Sequence, residues 1–483
     1  MKRPLAGLLA AEAVSLAGSH IATVAVPWLV LVTTGSATRV GIVALAQTLP
    51  FVLAGIVGGA LVDHIGPRRV AITADVASAF VVGLIPLLHL TGQLTFARLV
   101  TTVALAGTIG GCGNVAKRAL LPQVIEASRT PMARATALVE GFARAALLVG
   151  LPLGGILVTT LGPALVLTID AASFAFCALI VAATVRVPTA PAASEAATPP
   201  EAATPSGPVT PPEAATPPAP ATVAPPATVA PPRAATPPSN AGQTGLAAGF
   251  AFLRRDRLVI AVTAMLFVTN LVDQAYMTVF LPVWVRDTGA GPAALGWIGG
   301  VFGLGAVLGA ATYSVLALRL PRVATFAICS LLAGSPKLFA LALTDHQWLV
   351  LAVAFGAGLA ASTLNPILMA VGYERIPAHL RGRVLGAIGA LSFAGIPLGG
   401  LLGGLSIDAA GLRTALLAAG ALYLAVTLAP FLALPCLHRA LGQPPTLTAP
   451  PEPTLIAPRE PALIAPPEPA LIAPPSRGRR DRR

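Results

Sequence analysis

The sequence predicts an all-α membrane protein of twelve transmembrane helices, arranged as two pseudo-symmetric bundles of six. Three observations carry that prediction. Hydrophobic residues make up 55% of the 483 positions and charged residues only 10%, a balance too apolar for a water-soluble globular domain. A span needs about 20 largely apolar residues, and runs of that length fall into two sets of six, separated by a long stretch of different composition. A glycine-rich octapeptide also occurs at the same place in each set.

The first run, 5–33, follows Lys2 and Arg3. Its opening could pass for a signal peptide, but Glu12 interrupts the apolar segment and hydrophobicity continues through Trp28 to Val32, so we read an uncleaved span. Runs at 40–62, 70–90, 96–116, 135–160 and 163–185 complete the first set. Turn signals at 35–39, 91–93 and 161–163 divide them, while 117–134 reads as a longer polar loop. The second set comprises 258–285, 293–318, 322–343, 347–371, 384–408 and 411–434. GLPLGGIL (150–157) in the fifth run and GIPLGGLL (395–402) in the eleventh stand six runs apart. Small residues let helices approach closely in lipid, and a repeat of this size is how many transporters are built, with the substrate site near the midplane between the halves.

These features divide the chain into a first bundle at 1–186, a linker at 187–245, a second bundle at 246–435 and a tail at 436–483. The linker repeats EAATPP and ATVAPP, and the tail repeats EPALIAPP before the basic end RGRRDRR. Both lack the clustered large apolar side chains that build a core, and both read as disordered. The net charge of +12 is spread in short groups between apolar runs, which points to bilayer anchoring and not to nucleic acid. Lys2, Arg3, Arg68, Arg69, Lys117, Arg118, Arg129, Arg134, Arg319, Arg322, Arg375, Arg381 and Arg383 fall on one side, against Arg39, Arg98, Arg286 and Arg413 on the other. The positive-inside rule then places both termini in the cytoplasm and the protein in the cell membrane. Cys112, Cys177, Cys329 and Cys436 are scattered and read as packing residues. No zinc cluster, phosphate-binding loop or GxSxG nucleophile appears, so no enzyme and no cofactor is expected.

GGALVDHIGPRR (58–69) concentrates charge in the turn between the second and third runs. Its GxLxDxxGxRR form, carried by Gly59, Leu61, Asp63, Gly66, Arg68 and Arg69, resembles the signature loop of the major facilitator superfamily. The chain looks most like that family's drug, macrolide and siderophore exporters, with 119–141 and 374–391 the most reminiscent stretches. The resemblance implies that Asp63 docks on the start of the eleventh span, after Arg383, when the two halves close on the cytoplasmic side. A carboxylate there would accept from free N–H groups at a positive helix end, and the contact would act as a latch on one state of an alternating-access cycle. Gly59 and Gly66 would permit close approach and a tight turn, while Arg68 and Arg69 hold the loop at the surface. The fourth span, LAGTIGGCGN at 105–114, lacks the arginine of the family's proton-antiporter pattern.

Ionisable groups at bilayer depth cost about 2.5 to 3.5 kcal/mol each and usually face a cavity or a partner. Glu12, Ser15, Ser19 and Thr23 share one face of the first helix, and Asn270, Asp273 and Gln274 follow the same kind of spacing in the seventh. The resemblance implies that spans one, four, seven and ten line the central cavity, where Asn114 and Asn365 would join them. Glu140 and Arg144, four apart with the acid first, read either as a structural helical ion pair or as substrate and proton candidates, and Asp273 and Glu140 are the acids expected to couple transport to protons. Lys337 reads as snorkelling toward the nearer membrane surface, and Asp75 and Asp170 remain open. The expected function is export of a small amphipathic molecule by a monomer, driven by a proton gradient. Two rivals stand beside it: a nutrient importer or facilitator on the same fold, and a non-transporting membrane scaffold or sensor.

Overall fold

The computed structural model describes residues 3–128, 130–185, 256–317, 319–376 and 380–433. The linker at 187–245 and the tail at 436–483 lie outside the described residues, as does Cys436. Twelve helices among the described residues are long and apolar enough to cross a membrane. We number them α1 (Arg3–Thr34), α2 (Ala37–Ile65), α3 (Pro67–Leu90), α4 (Phe96–Ser128), α5 (Met132–Leu161) and α6 (Pro163–Thr184) in the first bundle. In the second, α7 runs Arg257–Ala275, a π-helical turn Tyr276–Phe280, then Leu281–Asp287; α8 is Pro292–Leu316. Then follow α9 (Arg322–Ala333 and Ser335–Leu343), α10 (Gln347–Arg375), α11 (Arg381–Phe393 and Gly395–Ala410) and α12 (Leu412–Ala433).

The connections follow from local chemistry. Gly66 adopts φ 93°, a region open to glycine, and Pro67 starts α3 with the fixed φ a first helical turn prefers. Ser36 caps α2, its hydroxyl accepting from the Arg39 N–H at 3.3 Å. The polar loop expected at 117–134 is instead mostly helix, since α4 continues to Ser128. Its apolar face explains the extension: Leu120, Val124 and Ile125 pack in one buried cluster with Leu5, Leu8 and Val181.

Three helices of the second bundle are interrupted, and a proline stands near the start of the segment after each break: Pro282, Pro336 and Pro397. Such a residue cannot donate to the carbonyl four positions back, and the π turn or break takes up the mismatch. Asn270 serves one of these breaks. Its amide donates to the Ser392 carbonyl at 3.0 Å, beside the break in α11.

The face carrying Arg68, Arg69, Arg118 and Arg381 is here called the basic face. The bundles are packed together in the half of the molecule toward the opposite face. A β-carbon added at Gly296 of α8 would lie 2.5 Å from the Leu151 carbonyl oxygen of α5, and one at Gly155 would lie 2.9 Å from Gly296. Gly41 of α2 meets the Gly400 backbone of α11 equally closely. The repeated glycine octapeptides thus form both contacts, α5 on α8 and α11 on α2. The largest apolar core also joins the bundles at this end, with Val24, Leu29, Leu31, Leu151, Val158, Val279, Trp284 and Ile298 contributing. Toward the basic face the apolar clusters separate by bundle. The molecule is therefore closed at the opposite face and parted at the basic one.

Candidate functional site

The larger of two adjoining cavities has a volume of about 350 Å³. α1 contributes Ser19 and Thr23, α2 contributes Gln47, Thr48 and Phe51, and α6 contributes Asp170 and Phe174. The second bundle reaches it through Gln274 and Thr278 of α7. α3 adds Ser78, and the other walls are apolar, among them Val26, Pro27, Val40, Val43 and Val82. The smaller cavity, about 150 Å³, shares Ser19, Phe51, Ser78, Gly110 and Phe174 with it. It holds Glu12, Ser15, Asp75, Asn114 and Lys117. The polar face foreseen on α1 is therefore a cavity wall along its whole length.

Asp75 and Lys117 pair at 2.8 Å, with side chains only 4% and 13% exposed. Lys117 is thus a buried partner of α3 and not the surface anchor its place in a loop suggested. The continuation of α4 past residue 116 carries it inward. Asn114 accepts from Arg118 Nε at 2.9 Å on the same helix.

A second charge pair lies in the other bundle. Lys337 Nζ stands 2.7 Å from Asp273 Oδ1, with side chains 8% and 40% exposed. The ammonium also lies 4.9 Å from the Tyr276 ring centre and 6.0 Å from that of Phe302. The expectation that Lys337 snorkels to the surface is overturned. The break at Gly334 redirects the second segment of α9, and Lys337 turns inward toward the acid on α7. Gly334 itself packs against the Tyr423 ring, where a side chain has no room.

Other expected residues are placed differently. Glu140 and Arg144 are exposed and form no ion pair among the described residues, although the four-residue spacing brings them to one face of α5. Asn365 lies with Asn270 in a separate cavity of about 310 Å³ inside the second bundle, away from Gln274. Gly59 meets nothing within 4 Å; the close neighbour belongs to Gly58, where an added β-carbon would lie 3.3 Å from the Cys112 Cα. Asp63 is exposed on the parted face and makes no hydrogen bond or ion pair among the described residues. Arg69 is exposed, while Arg68 turns back and donates to the Val185 carbonyl and, at 2.8 Å, to that of Ala182, closing the end of α6.

The contact that sequence reasoning missed sits at the closed face. Asp408, near the end of α11, accepts at 3.3 Å from both the Ser36 hydroxyl and the Thr38 N–H at the start of α2. Arg286 adds a bond to the Gly35 carbonyl at 3.1 Å. A carboxylate on a helix N-terminus, joining the two bundles, is the device foreseen for Asp63, here made by the same two helices at their other ends.

Two bundles of membrane-length helices around polar-lined cavities have the build of a multi-pass membrane transporter. The family model for the Major Facilitator Superfamily matches residues 8–286 and 263–473, and the chain belongs to that family. Among its relatives is the multidrug efflux pump Tap of Mycobacterium tuberculosis, 30% identical over 414 residues, covering 85% of this chain and 88% of the pump. Tap of Mycolicibacterium fortuitum is 28% identical over 418 residues, covering 86% and 92%. The fold is also that of the nucleoside transporter NupG, with a TM-score of 0.64 at 11% identity over 89% of this chain and 98% of that one. A bacterial homologue of the human lysosomal transporter Spinster, in an inward-facing and unoccupied conformation, gives 0.58 at 15% identity over 91% and 98%.

Proposed function

We propose that this transporter exports an amphipathic or hydrophobic small molecule from the cytoplasm by alternating access, in exchange for protons. The observation that carries the reading is the lining of the larger cavity. Its walls are apolar and aromatic, its hydrogen-bonding groups are neutral apart from Asp170, and such a surface holds a greasy molecule without demanding one fixed pattern of polar atoms. Similarity to multidrug efflux pumps over most of the chain supports the same conclusion. In this reading the basic face is cytoplasmic, both termini lie there, and the structure represents the inward-open state.

Alternating access then exchanges one latch for another. Asp408 on the start of α2 holds the outer side shut in the present state. Closure of the basic face releases that contact and brings Asp63 onto the start of α11. The test is efflux of ethidium from preloaded cells expressing the chain. Efflux faster than in vector controls, and lost when an uncoupler collapses the proton gradient, is expected. Equal rates with and without the chain across a panel of amphipathic dyes would overturn the reading, and uptake of a nutrient would replace it with import.

A further inference from the structure

We propose that Asp170 on α6 is the group that carries the exchanged proton, an inference that rests on the efflux reading. Asp170 is 3% exposed, and its Oδ1 is buried with no hydrogen-bond partner. It is the ionisable side chain in the wall of the larger cavity. It lies seven residues from the outer end of α6, about 10 Å by helical rise.

The surroundings offer it no cation. α1 lies against it through Gly18, where an added β-carbon would come 2.7 Å from Oδ1. The titratable groups on the helices packed around α6 are otherwise engaged or distant. On α1, Glu12 lines the neighbouring cavity and His20 packs on α5 at Gly150. On α3, Asp75 is held by Lys117, Arg68 closes the end of α6, and Arg69 and His89 lie at the helix ends. On α5, Arg134, Glu140 and Arg144 are exposed toward the basic face, and Cys177 of α6 itself sits two turns further along. None forms an ion pair or hydrogen bond with Asp170 among the described residues.

The nearest polar side chain is the neutral Ser173 hydroxyl on the same turn, which also faces Gly18, and a buried carboxylate with no cation beside it is disfavoured relative to the neutral acid. Asp170 is assigned the neutral acid form in this conformation, on the geometry of its unpartnered buried oxygen. Movement of α1 against α6, or entry of water or a cationic molecule into the cavity, stabilises the anion, and the proton passes to cavity water. The shared wall of Ser19 and Ser78 leads from there to the smaller cavity and the parted basic face. The carboxylate is reprotonated from water on the other side once the bundles have exchanged openings. One proton is taken up and one released per cycle, with no other bond made or broken.

The test uses the full chain in liposomes, with Asp170→Asn and Asp170→Glu beside the natural protein. Infrared difference spectra against bulk pH, without added substrate, are expected to show a protonated-carboxyl band that titrates, is missing in Asp170→Asn and is displaced in Asp170→Glu. Ethidium exchange across the same liposomes is expected to depend on pH in the natural protein and to lose that dependence in Asp170→Asn. A band that persists in Asp170→Asn, or one that bulk pH never alters, would overturn the proposal. Failure of the natural protein to move ethidium would count against the efflux reading, while the infrared result still decides Asp170. The displaced band in Asp170→Glu distinguishes a lost carboxyl from a misfolded chain.

Discussion

Replacing Asp273 by alanine removes the partner of an ammonium whose side chain is only 8% exposed. At 2.7 Å the pair is worth about 6 kcal/mol with an effective dielectric of about 20. Because the carboxylate is 40% exposed, solvent screening reduces this to about half, or about 3 kcal/mol. That agrees with the lower end of the about 3 to 5 kcal/mol cost of stranding one member of a buried pair. The Tyr276 ring at 4.9 Å still faces the cation in the variant, which favours that lower end. Lys337→Met should behave differently. Methionine fills the course of the lysine stem among apolar neighbours, and the remaining carboxylate can be hydrated, so a loss of about 1 kcal/mol is expected. Asp273→Ala combined with Lys337→Met should then cost little more than Lys337→Met alone, giving a coupling of about 2 to 3 kcal/mol. Equilibrium unfolding in mixed micelles of the four proteins measures this cycle. Additivity within about 0.5 kcal/mol, or a Lys337→Met loss as large as that of Asp273→Ala, would refute the reasoning.

Three further outcomes follow from the interface and the caps. Asp408→Asn weakens the bonds to Ser36 and Thr38 and should lower the population of the present state by about fivefold, corresponding to about 1 kcal/mol, while Asp63→Asn raises it. Spin-label distances between Thr160 and Ala410, exposed at the closed face, report the shift, and movement in the same direction for both variants would count against paired latches. Gly296→Leu forces a side chain onto the Leu151 carbonyl and should cost the closed face about 1 to 3 kcal/mol, seen as faster thiol labelling of a cysteine placed at Thr160. Unchanged labelling would mean that the α5–α8 contact does not set the state. Arg68→Ala should destabilise the protein by about 1.5 to 3 kcal/mol and speed amide exchange near the end of α6, whereas Arg69→Ala should change stability by less than about 0.5 kcal/mol. Equal effects in unfolding experiments would exclude the capping role.

The amino-acid sequence by itself determined that the chain crosses a membrane twelve times, where most spans begin and end, and that its halves repeat. Those properties depend on the transfer of local segments from water to lipid and on glycine and proline at turns, which act over a few residues and are written in order along the chain. The tight turn at Gly66 and the polar face of α1 were legible for the same reason. Tertiary structure decided which charges meet. Lys337 finds Asp273 across 64 positions, Lys117 finds Asp75 across the α3–α4 packing, and Asp408 reaches a helix start 370 positions away. Helix spacing cannot foresee such partners, because they depend on where interruptions redirect a segment. Pro27, Pro50, Pro86, Pro122, Pro152 and Pro366 lie in continuous helices, whereas Pro282, Pro336 and Pro397 follow breaks, and only the packing of neighbouring helices distinguishes them. Glu140 and Arg144 give the converse lesson: favourable spacing on one helix brought no ion pair, since two exposed side chains gain little by holding one geometry. Local chemistry fixed the spans; long-range packing fixed the electrostatics that any transport cycle must use.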